Sequence, residues 1–168
     1  KLNAVPVAVN WRLAPPEMEF ILDNAEVKVV LVEAEFLGHL DKMALPRNPL
    51  VVEVGGNGVN VSYSEWIDGQ SDDDPGYPTA PDDTGSQLYT SGTTGLPKGA
   101  ELSNRNFEAI IEPISDMIGV TAESVMLHIL PMFHIGGSGV ANVGLFNGAT
   151  NVVHRDVEHL GAGTFPGD

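Results

Sequence analysis

The segment Tyr89-Thr90-Ser91-Gly92-Thr93-Thr94-Gly95-Leu96-Pro97-Lys98-Gly99 concentrates residue types that hold anions. Its glycines, Gly92, Gly95 and Gly99, permit backbone angles closed to other residues and let main-chain N–H groups come close to a ligand. Successive N–H groups in such a turn form an anion-binding nest. The hydroxyls of Thr90, Ser91, Thr93 and Thr94 add donors that rotate toward phosphate oxygens, and Lys98 brings a mobile positive charge. A polyphosphate is the ligand that suits this set. The spacing differs from the Walker pattern Gly-x-x-x-x-Gly-Lys-Ser/Thr, because the position required for the second glycine is Pro97 and Lys98 is followed by Gly99. The competing reading is a flexible surface turn, which Gly/Ser/Thr composition also produces. The place of the loop between two strand-like segments, with its one lysine directly after Pro97, favours phosphate.

The rest of the chain constrains what this loop meets. Its 168 residues carry 8 basic and 23 acidic side chains, a net charge of −15. That field repels polyanions, which argues against nucleic acid as a partner and implies that a nucleotide arrives as its magnesium complex. The absence of cysteine excludes a disulfide framework, a thiolate zinc site and a cysteine nucleophile, and it fits a reducing cytoplasm. Asp72, Asp73 and Asp74 read as a repelling surface connector, since adjacent carboxylates rarely converge on one ion without a loop of defined ligand spacing. His39, His154 and His159 show no metal-site spacing, and His128 alternates with apolar neighbours as a structural residue does. His134, beside Phe133 in an apolar run, reads on its own as a core or supporting histidine bonded to backbone. Asn60-Val61-Ser62 fits a glycosylation sequon, but without a secretory signal it carries little weight.

Strand-like and helix-like segments alternate, the pattern of a layered α/β fold with mostly parallel sheets flanked by helices. The first α/β segment, residues 1–67, holds a strand over Ala4–Val9 and a helix opened by Pro15 and Pro16, with Met18, Ile21, Leu22 and Ala25 on one face. A strand over Val27–Val32 and a weaker helix over Glu33–Met43 follow. Val51–Val54, a glycine turn and the alternating Val59–Tyr63 predict a β-hairpin. Residues 68–83 form an acidic linker. The second α/β segment, 84–157, carries the phosphate loop between strands at Gln87–Thr90 and Gly99–Leu102. Next comes a helix capped by Ser103 or Asn104, with a stripe of Phe107, Ile110, Ile111, Ile114 and Ile118. Pro113 predicts a kink or an end to that helix near Glu112. The uncharged run from Ser124 to His154 predicts a buried strand, loop, small-residue helix and strand, since Pro131, Asn142, Asn147 and several glycines argue against a membrane span. Residues 158–168 are unassigned, and the opening at Lys1, with no signal core, predicts an internal piece of a longer polypeptide.

Tyr89 to Gly99 resembles the signature loop of the adenylate-forming superfamily, which includes acyl-CoA synthetases, adenylation domains of peptide synthetases and luciferases. Ala4 to Pro15, with Asn10-Trp11-Arg12-Leu13, is similar to the acyl-CoA synthetase segment before the helix near Pro15, and Pro131-Met132-Phe133-His134 is similar to their later substrate-side motif. The resemblance spans Ala4 to about Arg155 and implies part of the large N-terminal domain of such an enzyme. It implies that Thr90, Ser91, Gly92, Thr93, Thr94, Gly95, Lys98 and Gly99 hold ATP while a substrate carboxylate attacks the α-phosphorus, giving acyl-AMP and pyrophosphate. Thr90 would touch Mg²⁺, Lys98 would be catalytic, and His134 would position the acyl carboxylate without acting as a base.

In the usual second half-reaction coenzyme A takes the acyl group, and Pro131 to Gly137 leans toward a fatty or other apolar acid. The Tyr-Gly-x-Thr-Glu motif, the ribose-gripping aspartate and the C-terminal lysine of that superfamily do not occur in these residues, so the chain alone is expected to turn nothing over. An amino-acid adenylation domain and a noncatalytic nucleotide-binding or scaffolding piece remain the alternatives.

Overall fold

The computed structural model describes residues 2–56, 58–90 and 95–154. The chain packs as two units, Lys1–Thr79 with Gly85–Glu101 and Ala80–Thr84 with Leu102–Asp168. The packing therefore does not divide at the acidic stretch 68–83. The strands on either side of the Gly/Thr loop pack with the first unit, because β5 (Thr84–Thr90) pairs in parallel with β1 (Val7–Ala8), Val7 opposite Gln87 and Ala8 opposite Leu88. β6 (Lys98–Ser103) joins on the other side, giving the order β1-β5-β6.

Also in the first unit, α1 (Pro15–Asn24) starts on two prolines, whose missing N–H groups cost nothing in a first turn. The Glu17 carboxylate accepts from the Ala14 N–H at 3.0 Å, and Met18, Ile21 and Leu22 form the buried face. A parallel sheet contains β2 (Val29–Glu33), β3 (Leu50–Val54) and β4 (Val61–Ser62) in that order. The helix expected over Glu33–Met43 contracts to a 3-10 turn at Ala34–Phe36 and the short α2 (Leu37–Leu40).

The hairpin is corrected: β4 runs parallel to β3, pairing Val52 with Val61 and Glu53 with Ser62. Two causes are visible. The Glu53 side chain is buried and accepts from the Asn60 N–H at 3.3 Å, while a Cβ at Gly56 would fall on its carboxylate, so the connection bends around a buried acid. After Ser62 the chain turns helical, since the Ser62 hydroxyl accepts from the Glu65 N–H and caps α3 (Tyr63–Ile67). Val59, Val61 and Tyr63 are all exposed, so their alternation marks no buried face.

In the second unit, residues 80–83 dock on the start of α4 (Asn104–Ile118) instead of being wholly solvated. Asn104 N–H donates to the Asp83 carbonyl, Arg105 N–H to the Pro81 carbonyl, and the Arg105 guanidinium pairs with both Asp82 carboxylate oxygens at 2.9 and 3.2 Å. Ser103 caps α4 by accepting from the Asn106 N–H, and the Asn106 side chain returns a bond to the Ser103 N–H.

Of the kink or end expected near Glu112, the end does not occur, and α4 runs through Pro113. Proline removes the bond to the Ala109 carbonyl, but Ala109 and Pro113 are both exposed, so losing that bond costs less than it would in a core. The opposite face buries Ile111 and Ser115, while Ile110 and Ile118 of the expected stripe are exposed. There Ser115 Oγ donates to the Ile111 carbonyl at 2.7 Å and Asn147 Nδ2 donates to Ser115 Oγ at 2.7 Å and to the Val143 carbonyl at 2.8 Å. Asn147→Ala takes away the donor to the buried Ser115 hydroxyl, while the Val143 carbonyl keeps its bond from the residue 147 N–H, and is expected to cost about 1 kcal/mol of stability, read by denaturant unfolding.

β7 (Val125–His128) pairs in parallel with β8 (Thr150–Val153), and α5 (Ile135–Phe146) connects them. This part of the uncharged run is less buried than expected: Val125, Leu127, Leu145 and Phe146 are exposed. Among the described residues no helix is long and apolar enough to cross a membrane.

Candidate functional site

Thr90 is the last residue of β5 and Lys98 the first of β6, so the sheet brings together the two ends of the Gly/Thr loop. Ser91, Gly92, Thr93 and Thr94 lie outside the described residues. Gly95 has φ +100°, a conformation that side chains rarely tolerate, and this accounts for a glycine at that position. Thr90, Gly95 and Lys98 are exposed, leaving the hydroxyl and the ammonium free to meet a ligand.

Gly99 fixes which face is which. A Cβ there would lie 2.6 Å from Gln87 Nε2 and 2.8 Å from Tyr89 Cζ, so the Gln87 and Tyr89 side chains occupy the space over the Gly99 backbone. Because side chains alternate along a strand, Thr90 and Lys98 share the opposite face. On the Tyr89 side the phenol donates to Asn24 Oδ1, at the end of α1, at 2.6 Å. Burial pushes the Tyr89 phenol above its ordinary pKa of 10.0, and the negative charge of Glu101 adds to the rise. The phenol thus stays protonated, and able to donate, throughout the neutral range.

His134 is the N-cap of α5. Its Nδ1 accepts from the Gly136 N–H at 3.0 Å, which leaves the proton of the neutral ring on Nε2. Its backbone is held as well, with its N–H on the Pro131 carbonyl and its carbonyl accepting from Ser138 Oγ at 3.1 Å. The ring is thus tied to backbone, as the sequence suggested, but it is exposed instead of sitting in a core. Gly137, in the first turn of α5, packs so closely on the Leu130 and Pro131 carbonyls that a Cβ would overlap them.

His128 is buried and bonded to Asn151 Oδ1 at 2.5 Å. His39 packs edge-on against Phe36, and His159 lies outside the described residues. Among the described residues no group of three or more His, Cys, Asp or Glu side chains could hold a metal ion. The acidic loop uses its carboxylates locally, Asp73 with Ser71 and Asp74 with the Gly76 N–H. Sequence reading missed Asn24 and the role of Gly99. A glycine inside a strand, which marks close approach of another group, is the signal that could have found the second.

Comparison with known proteins gives these features a context. The model of the AMP-binding enzyme family matches residues 1–165. The fatty acid–[acyl-carrier-protein] ligase ScoC of Streptomyces coeruleorubidus is 37% identical over 158 residues, covering 91% of this chain and 29% of that protein. 4-Hydroxybutyrate–CoA ligase 2 of Metallosphaera sedula is 33% identical, covering 94% of this chain and 31% of its own length. The crystal structure of ATP-bound MatB from Rhodopseudomonas palustris superposes with a TM-score of 0.75 at 29% identity, over 89% of this chain and 30% of MatB. The chain thus spans about three-tenths of the relatives it matches. With its parallel sheets, flanking helices and glycine-threonine loop, the chain belongs to the AMP-binding enzyme family.

Proposed function

We propose that this chain supplies the triphosphate-gripping part of an AMP-forming acid–thiol ligase that works in the cytoplasm. Such an enzyme activates a carboxylic acid, here a fatty or similarly apolar one, as acyl-AMP and transfers the acyl group to coenzyme A. The observation that carries this reading is the placement of Thr90 and Lys98 on one face at the two ends of the loop, in a chain of the AMP-binding family. The names of the relatives, acid–CoA and acid–carrier-protein ligases, support the acid–thiol class.

The residues divide the work as follows. Lys98 places its ammonium against the terminal phosphates, where charge builds up as pyrophosphate departs. The loop glycines admit backbone N–H groups close to the same oxygens. A magnesium ion neutralises phosphate charge when bound, and the exposed Thr90 hydroxyl is an oxygen donor of the kind this ion prefers. His134, held by Gly136 through Nδ1, offers Nε2–H as a donor to the acyl carboxylate and abstracts no proton, because that group attacks already ionised.

The test is carboxylate-dependent exchange of pyrophosphate into ATP by the full-length protein, with straight-chain, aromatic and amino acids compared. Exchange driven by apolar carboxylates, followed by thioester formation with coenzyme A, is expected. Exchange confined to amino acids would move the assignment to an amino-acid adenylation domain. An absence of exchange with every acid would leave only nucleotide binding or scaffolding. Thioester formed on a carrier protein but not on coenzyme A would correct the acceptor alone.

A further inference from the structure

We propose that Tyr89 is a positioning residue for the triphosphate: its hydroxyl, bonded to Asn24 over the open backbone of Gly99, holds the two stems of the loop at a fixed separation. This rests on the nucleotide reading above and extends it to two side chains on the far face of the strands. The bond lies at the mouth of the loop, since Tyr89 is the last β5 residue facing that side and Gly99 the first of β6 to do so. It joins residues 65 apart in sequence at 2.6 Å. Its acceptor is anchored: α1 buries Met18, Ile21 and Leu22, and Asp23 pairs with Arg47 at 3.1 Å.

Gly99 makes the arrangement possible. A side chain there would displace the phenol and the Gln87 amide, whose Nε2 donates to Tyr89 Oη at 3.5 Å. Because Thr90 and Lys98 directly adjoin Tyr89 and Gly99, any sliding or splaying of the two stems alters the distance between the hydroxyl and the ammonium. A ligand gripped from two stems gains from donors whose separation is set before it arrives. An ordinary phenol is already protonated at neutral pH, and burial and the neighbouring Glu101 raise the Tyr89 pKa further.

The experiment is a double-mutant cycle in the full-length protein with Tyr89→Phe, Asn24→Ala and the pair. MgATP affinity is read by titration calorimetry, and hydrogen exchange at the Gly95, Leu96, Lys98 and Gly99 amides is read without nucleotide. Each single change is expected to weaken MgATP binding up to about tenfold, the upper end of what one hydrogen bond contributes, and to speed exchange at these amides. The pair is expected to be no worse than the weaker single variant. Affinity that holds while the melting temperature falls would mean packing only, and fully additive effects would mean that the two residues act separately; either overturns the proposal. If the unaltered protein binds no MgATP, the nucleotide reading fails, and with it the role toward the triphosphate. Exchange unchanged by Tyr89→Phe would show that the bond does not hold the stems at all.

Discussion

Lys98→Ala is expected to slow the proposed acyl-adenylate formation in the full-length protein by about a hundredfold, the usual cost of removing one donor aimed at charge that develops in a transition state. The size follows from how little positive charge is available nearby. The chain carries a net −15, and Lys98 is the only cation in the stretch from Tyr89 to Gly99, so nothing in that stretch takes its place. Lys98 is exposed and begins β6, which lets the substitution leave the strand intact and keeps stability near its original value. A group that acts mainly as pyrophosphate leaves affects the rate more than the KM for ATP. Single-turnover measurement of adenylate formation makes the check. An unchanged rate would reduce Lys98 to a prop for the loop's shape.

Gly137→Ala destabilises the protein by about 3 kcal/mol, the upper part of the range for forcing a methyl group into a packed site. The atoms it meets are the carbonyl oxygens of Leu130 and Pro131, which are main chain and cannot rotate away. Two neighbouring glycines serve as controls. At Gly136 the added methyl would lie 3.2 Å from the His134 and Leu130 side chains, which can shift, so a smaller loss is expected. At Gly139 only Ile135 is near, at 3.5 Å, so alanine there should stabilise by up to about 1 kcal/mol through its better helix propensity. Equilibrium unfolding of the three variants gives the order. Equal losses at Gly137 and Gly139 would show that the close approach to the carbonyls is unimportant. Because Gly137 lies in the turn that carries His134, its alanine variant should also weaken use of the carboxylate substrate.

Much of the fold was legible because local chemistry and packing agree. Pro15 and Pro16 with Met18, Ile21 and Leu22 mark α1, and Ser103 with Asn106 marks the start of α4, in both sequence and structure. The failures come from interactions between positions that local patterns do not connect. The alternation from Val59 to Tyr63 looked like a strand returning beside its neighbour, but the buried Glu53 carboxylate and the Ser62 cap redirect the chain. Pro113 looked like a stop because its carbonyl partner was assumed to need the lost bond, whereas exposure of Ala109 lessens that need. The ends of the candidate site were readable from residue types, and Thr90 and Lys98 stand where the loop leaves and re-enters the sheet. The link from Tyr89 to Asn24 was not readable, since one ordinary asparagine at a helix end gives no sign of which tyrosine it will meet.

The composition of α5 bears on how His134 takes up its position. Gly136, Gly137, Gly139 and Gly144 are spread along this helix, and each lowers intrinsic helicity by about 1 kcal/mol relative to alanine. A peptide of that sequence would be coil in water, so the segment winds only as β7, β8 and α4 close around it. The orientation of the imidazole thus depends on that packing, and damage to it would misplace the histidine.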